Sequence, residues 1–130
     1  MPNDELGVVT KLSPRSVSDT VSRLVEMINA KAIKLFVVID QRAEARQVEL
    51  DLRETTLVIF GNPVQGTPVM DAEPLSALDL PLKVLVWDDH GQTKVTYLSP
   101  DALAVRYRLD SAKATMLAGI NPLTDALVQE

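Results

Sequence analysis

Short apolar stretches alternate with one long helical stripe along the chain, and together they outline its elements. Gly7-Val8-Val9-Thr10-Lys11-Leu12 reads as a first strand, broken by Ser13-Pro14. Val17, Val21, Leu24 and Ile28 then recur at +4, +7 and +11, one face of a helix. Ser16 or Ser18 can cap this helix, and Asp19 suits the positive end of its dipole. Leu35–Ile39 (LFVVI) and Thr55–Phe60 (TTLVIF) are β-branched apolar runs, read as strands covered on at least one face. Between them, Asp40 precedes Gln41–Val48, about two turns of helical composition.

Thr67-Pro68 predicts a helix start, with a capping hydroxyl followed by proline at the first helical position. Pro74 and Pro81 keep the helical region after it in short pieces. Val84–Trp87 and Lys94–Leu98 flank the polar Asp88-Asp89-His90-Gly91-Gln92, the signature of a hairpin in which Trp87 and Tyr97 are expected to face each other. Ser99-Pro100-Asp101 opens a helix to about Arg108, and Met116, Ile120, Leu123 and Leu127 form a last stripe interrupted at Gly119 and Pro122. Consecutive strands near the end predict an α+β fold, with a mainly antiparallel sheet and helices on one side. No internal repeat, linker or low-complexity tract breaks the chain, so one domain over 1–130 is expected.

Composition narrows the function. At 130 residues, with 46% hydrophobic and 24% charged residues, the chain can bury its own core without a metal or disulfide staple. It has no cysteine, which removes thiol catalysis, thiolate metal sites and disulfides together. The net charge of −5, scattered basic residues and five aromatics argue against nucleic acid as a partner. No apolar run approaches the roughly 18 residues of a membrane span. MPNDELGVVT shows no apolar leader either, so a cytoplasmic protein without membrane contact is the expectation.

The stretch Ile59–Pro68 (IFGNPVQGTP) has the glycine spacing of a phosphate-binding loop, G-x-x-x-x-G. Its chemistry is otherwise: Thr67 stands where the loop needs lysine and Pro68 where it needs a hydroxyl, while Pro63 and Pro68 remove amide donors. A strand-to-helix corner with glycines at positive φ is the stronger reading. An anion on the amides after Pro68 survives as a weaker one.

Three blocks, LVIFGNPVQGTPVM (57–70), ALDLPLKVLVWDD (77–89) and YLSPDALAVRYRL (97–109), resemble the domain of unknown function 302 family. The resemblance runs from about Gly7 to Leu109, with 110–130 as a helical extension. It implies a two-layer β-α-β4-α-like fold similar to the TATA-box-binding-protein-like folds, with a curved antiparallel sheet, and a homodimer; it implies no activity. Asp40, Arg53, Gly61, Asn62, Gly66, Thr67, Met70, Asp79, Lys83 and Arg106 match the family pattern. Gln41 and Tyr107 stand where members carry histidine, so any role of those histidines in metal or acid–base chemistry does not carry over.

Most of these residues also have plain structural readings. Asp40 is well placed to cap the helix after it, Asn62 and Asp79 to form turns, and Met70 to fill core. Arg53 and Lys83 can bind an anion, or more simply pair with Asp40 or Asp79 at the surface. His90 is the single histidine and lies in a loop, so it makes no metal site, and no G-x-S-x-G elbow occurs. Neither a metal nor a cofactor is expected. The leading reading is a non-enzymatic module that binds a small molecule or a partner around Gly61–Met70, with Asp40 and Arg53 as neighbours. The alternative is an enzyme holding a small anionic substrate on that loop with Asp40 as acid–base group. The alternative requires Asp40 and the loop to converge on one pocket; a partner-binding adaptor would instead expose an apolar patch.

Overall fold

A computed structural model describes residues 6–130; the opening 1–5, part of the segment read above for a leader, lies outside the described residues. The chain runs β1 (Val8–Ser13), α1 (Val17–Ala30), β2 (Lys34–Asp40), α2 (Gln41–Gln47), β3 (Thr55–Gly61), α3 (Pro63–Ala72), a short 3-10 turn (Pro74–Leu78), β4 (Leu82–Asp89), β5 (Gln92–Leu98), α4 (Pro100–Tyr107), α5 (Ser111–Leu117) and α6 (Ile120–Leu127). The five strands pair antiparallel throughout in the order β1-β5-β4-β3-β2, with helices on one side. The sheet is uncurled, and the α+β architecture is the one that the sequence and the resemblance led us to expect.

Alternation along the strands sorts the two faces. Val58, Phe60, Val84, Val86, Val95 and Tyr97 point into the core, where Leu24 and Ile28 of α1 and Ile120, Leu123 and Leu127 of α6 meet them. A second cluster, centred on Val69, Leu103 and Leu117, joins α3, α4 and α5 beyond one end of the sheet, and Leu82 packs against both. Ser16 caps α1 through the Asp19 amide at 3.0 Å, as expected from its hydroxyl.

The tail is tied into the fold. Arg23 donates to the carbonyls of Leu127 and Ala126 at 3.2 and 3.1 Å, and Arg15 to those of Leu127 and Gln129 at 3.0 and 2.7 Å. Two guanidinium groups thus satisfy carbonyls left over at the end of α6, where the helix dipole favours positive charge. Lys11 holds the other side through Thr124 at 2.6 Å and Asp125 at 2.8 Å.

Two local expectations are corrected. The third helix does not start at Thr67-Pro68. It starts one turn earlier, with Asn62 as N-cap and Pro63 at its first position, and Pro68 lies inside it. Both dipeptides carry the same start chemistry, a capping side chain followed by proline, and the sequence contains them five residues apart. Gly61 therefore ends a strand and Gly66 sits within a helix, and neither has positive φ. The hairpin also turns more tightly than read. His90 (φ 52°) and Gly91 (φ 94°) form a two-residue turn, so Trp87 pairs with Lys94 and not Tyr97. The shift is odd in register, which puts Trp87 and Tyr97 on opposite faces of the sheet.

Candidate functional site

At the end of the sheet where β3 finishes and β4 begins, a groove of about 480 Å³ opens between α3, the C-terminal helices α5 and α6, and the strand ends. Phe60, Leu117, Ile120 and Leu123 form a floor from which solvent is nearly excluded. Phe36, Met70, Leu80, Leu82 and Met116 raise apolar walls above it. Asn62, Gln65, Thr67 and Thr115 stand at an exposed rim, so the polar lining sits at the mouth and not at the floor. The size and the apolar lining with few polar groups are those of a small-molecule site.

Local sequence chemistry shapes this groove. A Cβ at Gly61 would lie 3.4 Å from Pro81 Cβ and 3.7 Å from the Phe36 ring, ordinary contact distances, so β3 passes directly against both. Gly66 faces open space, and a Cβ would meet only the Met70 methyl at 3.9 Å. Asn62 Oδ1 accepts from the Val64 amide at 3.0 Å, while its carbonyl accepts from the Gln65 and Gly66 amides at 2.9 and 2.8 Å. With Pro63 lacking an N–H, the first turn of α3 has no spare donor for an anion. The amides after Pro68 lie inside α3 and are not a helix start, so the expected anion site there is not formed.

Five of the seven predicted site residues, Gly61, Asn62, Gly66, Thr67 and Met70, line this groove, whereas Asp40 and Arg53 do not. In β2, Lys34 pairs with Gly61 and Asp40 with Thr56, six strand steps away, or roughly 20 Å at about 3.3 Å per residue. Asp40 is moreover engaged as the N-cap of α2, accepting from the Ala43 amide at 2.9 Å. The alternative that made Asp40 the acid–base group for a substrate on the loop thereby loses its base.

Arg53 belongs to a charged cluster at that same far end. Asp89 accepts from Lys94 at 2.6 Å and from His90 at 2.8 Å, and Arg53 approaches it at 3.9 Å. The hydrogen bond from Lys94, and then that from His90, holds the Asp89 carboxyl below its ordinary range. Trp87 packs under the Lys94 ammonium, 5.5 Å from ring centroid to nitrogen, and donates to Thr96 at 3.0 Å.

A third polar group joins the two layers near the groove. Arg106 donates to Asp79 Oδ2 at 2.9 Å and the Tyr107 hydroxyl donates to the same oxygen. Burial raises the Asp79 pKa, but the Tyr107 and Arg106 hydrogen bonds and the arginine charge outweigh it, so the carboxyl titrates below its ordinary value. Tyr107 titrates above its ordinary value, first because its proton is donated to Asp79. Lys83 bonds the carbonyls of Asp79 and Pro81 at 3.4 and 3.3 Å. Asp79 thus acts as a tie from the β4 entry to the end of α4. Arg108, which follows at φ 55°, occupies the left-handed helix end. Among the described residues, no group of three or more His, Cys, Asp or Glu side chains is arranged to hold a metal ion.

Sequence reading missed Phe36, Phe60, Met116, Ile120 and Leu123 as groove residues. Their apolar periodicity was visible, but convergence of β2, β3, α5 and α6 is a long-range fact.

These features define a small α+β domain with an open antiparallel sheet and an apolar cleft at one end. The chain belongs to the family described as "Domain of unknown function DUF302", whose pattern matches residues 9–127. The match therefore takes in the tail beyond Leu109. Over 123 residues the chain is 35% identical to "Fluoride-specific ion channel FluC 1" of Brucella suis biovar 1 (strain 1330), covering 91% of this chain and 48% of that protein. "Fluoride-specific ion channel FluC 2" of Brucella melitensis biotype 1 is likewise 35% identical over 123 residues, covering 91% of this chain and 46% of that protein. The chain thus spans about half the length of these curated relatives. The crystal structure of an uncharacterized conserved DUF302 protein from Bacillus stearothermophilus matches with a TM-score of 0.79 at 20% identity, covering 95% of this chain and 96% of that one, and shares the fold. None of the helices among the described residues is long and apolar enough to cross a membrane.

Proposed function

We propose that this domain is a non-enzymatic binding module whose small-molecule site is the groove beside Gly61–Met70. The observation that carries the reading is the conjunction of an apolar, nearly dry floor with a polar rim in a cleft of about 480 Å³. Among the described residues no carboxylate or histidine lines it, so it offers shape and apolar contact where acid–base catalysis would need a proton-transfer group. A thermal-shift screen of small apolar and amphiphilic molecules tests this. Hits should stabilise the wild type and Gly66→Ala, and should be lost in Gly66→Leu, whose side chain grows into the groove. Hits that survive Gly66→Leu unchanged would overturn it.

A second reading concerns the sheet face away from the helices, and the two are compatible. Val37, Ile59, Ile39, Leu57, Leu85 and Trp87 share that face by register and are not buried. We assign this face to a second copy of the chain, giving a homodimer in the cytoplasm, since apolar side chains on an uncovered sheet favour burial against a like surface. Sedimentation equilibrium with Leu85→Glu distinguishes a dimer lost in the variant from a chain monomeric throughout. What passes from the Brucella relatives to this reading is the domain alone. Ion conduction needs membrane-crossing segments, and none of the described helices provides one.

A further inference from the structure

We infer that the groove takes an amphiphile with a single anionic head, a carboxylate on an apolar body. The inference rests on the groove reading above and assigns its ligand class. The floor can accept only an apolar group, because Phe60, Ile120, Leu117 and Leu123 offer no hydrogen bond and are at most 4% exposed. A polar head buried there would go unpaired, at a cost that apolar contact does not recover. Any ligand must therefore point its head at the rim.

Charge at the rim selects the sign of that head. Among the described residues, Lys31 is the sole ionisable side chain lining the groove. It is exposed, and no carboxylate of the described residues pairs with it. A second ammonium lies against one wall: Lys34, outside the lining itself, is 5.3 Å from the centre of the Phe36 ring. One cation in the lining, a second against the Phe36 wall and no acid in the lining among the described residues contrast with a chain whose net charge is −5. Asn62, Gln65 and Thr67 add uncharged donors to the exposed rim, fitting an oxygen-rich head.

The test is calorimetric titration of the full chain with monomeric decanoate, decanol, decyltrimethylammonium and acetate. Decanoate should bind about three- to tenfold more tightly than the cationic amphiphile, the range expected of exposed charge pairs. Acetate, which lacks the apolar body, should show no binding. Lys31→Ala/Lys34→Ala should lower decanoate affinity about three- to tenfold and leave decanol unchanged, and added salt should do likewise. Equal binding of all three decyl compounds would overturn the assignment of an anionic head while leaving the groove reading intact. Binding of none of them, with no screen hit sensitive to Gly66→Leu, would overturn both. Anionic vesicles binding where monomeric decanoate does not would also overturn it, in favour of a membrane surface.

Discussion

The two ends of the sheet are opposite kinds of surface. At the Asp40 end, the candidate acid–base groups are engaged: Asp40 caps α2, and Asp89 is shared among Lys94, His90 and Arg53. At the Gly61 end, apolar walls enclose about 480 Å³, and the lining cation, Lys31, pairs with no carboxylate of the described residues. The first end carries the residues that look like chemistry, and the second carries the space in which a ligand can sit. Charged groups that satisfy one another have little left to offer a substrate, whereas apolar surface without a partner retains a favourable free energy of burial.

Substitutions sharpen this contrast, beginning with the largest effect. Phe60→Ala at the groove floor should destabilise by about 3–5 kcal/mol in urea unfolding, as a buried aromatic truncated next to an existing cavity. A much smaller loss would mean that the floor is not part of the core. Asp79→Asn should cost about 1–2 kcal/mol by weakening its bonds to Arg106 and Tyr107. Its pH dependence has a defined sign. The folded Asp79 titrates below its ordinary value, so its contribution is full above the unfolded value and is lost as pH falls through the folded one. Stability curves of wild type and Asp79→Asn should therefore converge in acid and diverge by pH 6.

At the far end, Asp40→Ala should cost about 1 kcal/mol, the value of an N-cap, and leave ligand binding untouched. Loss of binding without loss of stability would restore Asp40 to the site. Smallest of all, Gly66→Ala should stabilise by about 0.5–1 kcal/mol in thermal unfolding, because the helix gains a better former and the added methyl meets only Met70.

Much of this was legible in the sequence where the signal is local. LFVVI and TTLVIF became β2 and β3, the stripe from Val17 to Ile28 became α1, and Asp40 capped α2 as its position suggested. The errors arose where local rules tie. Asn62-Pro63 and Thr67-Pro68 are both sound helix starts, and packing of Val69 against Leu103 and Leu117 fits a helix begun at the first. For the hairpin, a Gly-containing polar loop fits more than one turn length; the observed pairing of Trp87 with Lys94 lies three positions from Tyr97, and any odd shift reverses every face. The groove was half legible, since the specific loop residues stood out. Its floor comes from Phe60 together with Leu117, Ile120 and Leu123, more than fifty positions away, whose meeting no local pattern encodes.

The most direct test of the groove as the ligand site is amide chemical-shift mapping of the isotope-labelled chain during a decanoate titration. Shifts should concentrate at Lys31–Phe36, Gly61–Met70 and Met116–Leu123, with Asp40, Arg53 and Asp89 unmoved. Shifts centred on the Asp40 and Asp89 end, with the groove residues silent at saturating decanoate, would contradict the account.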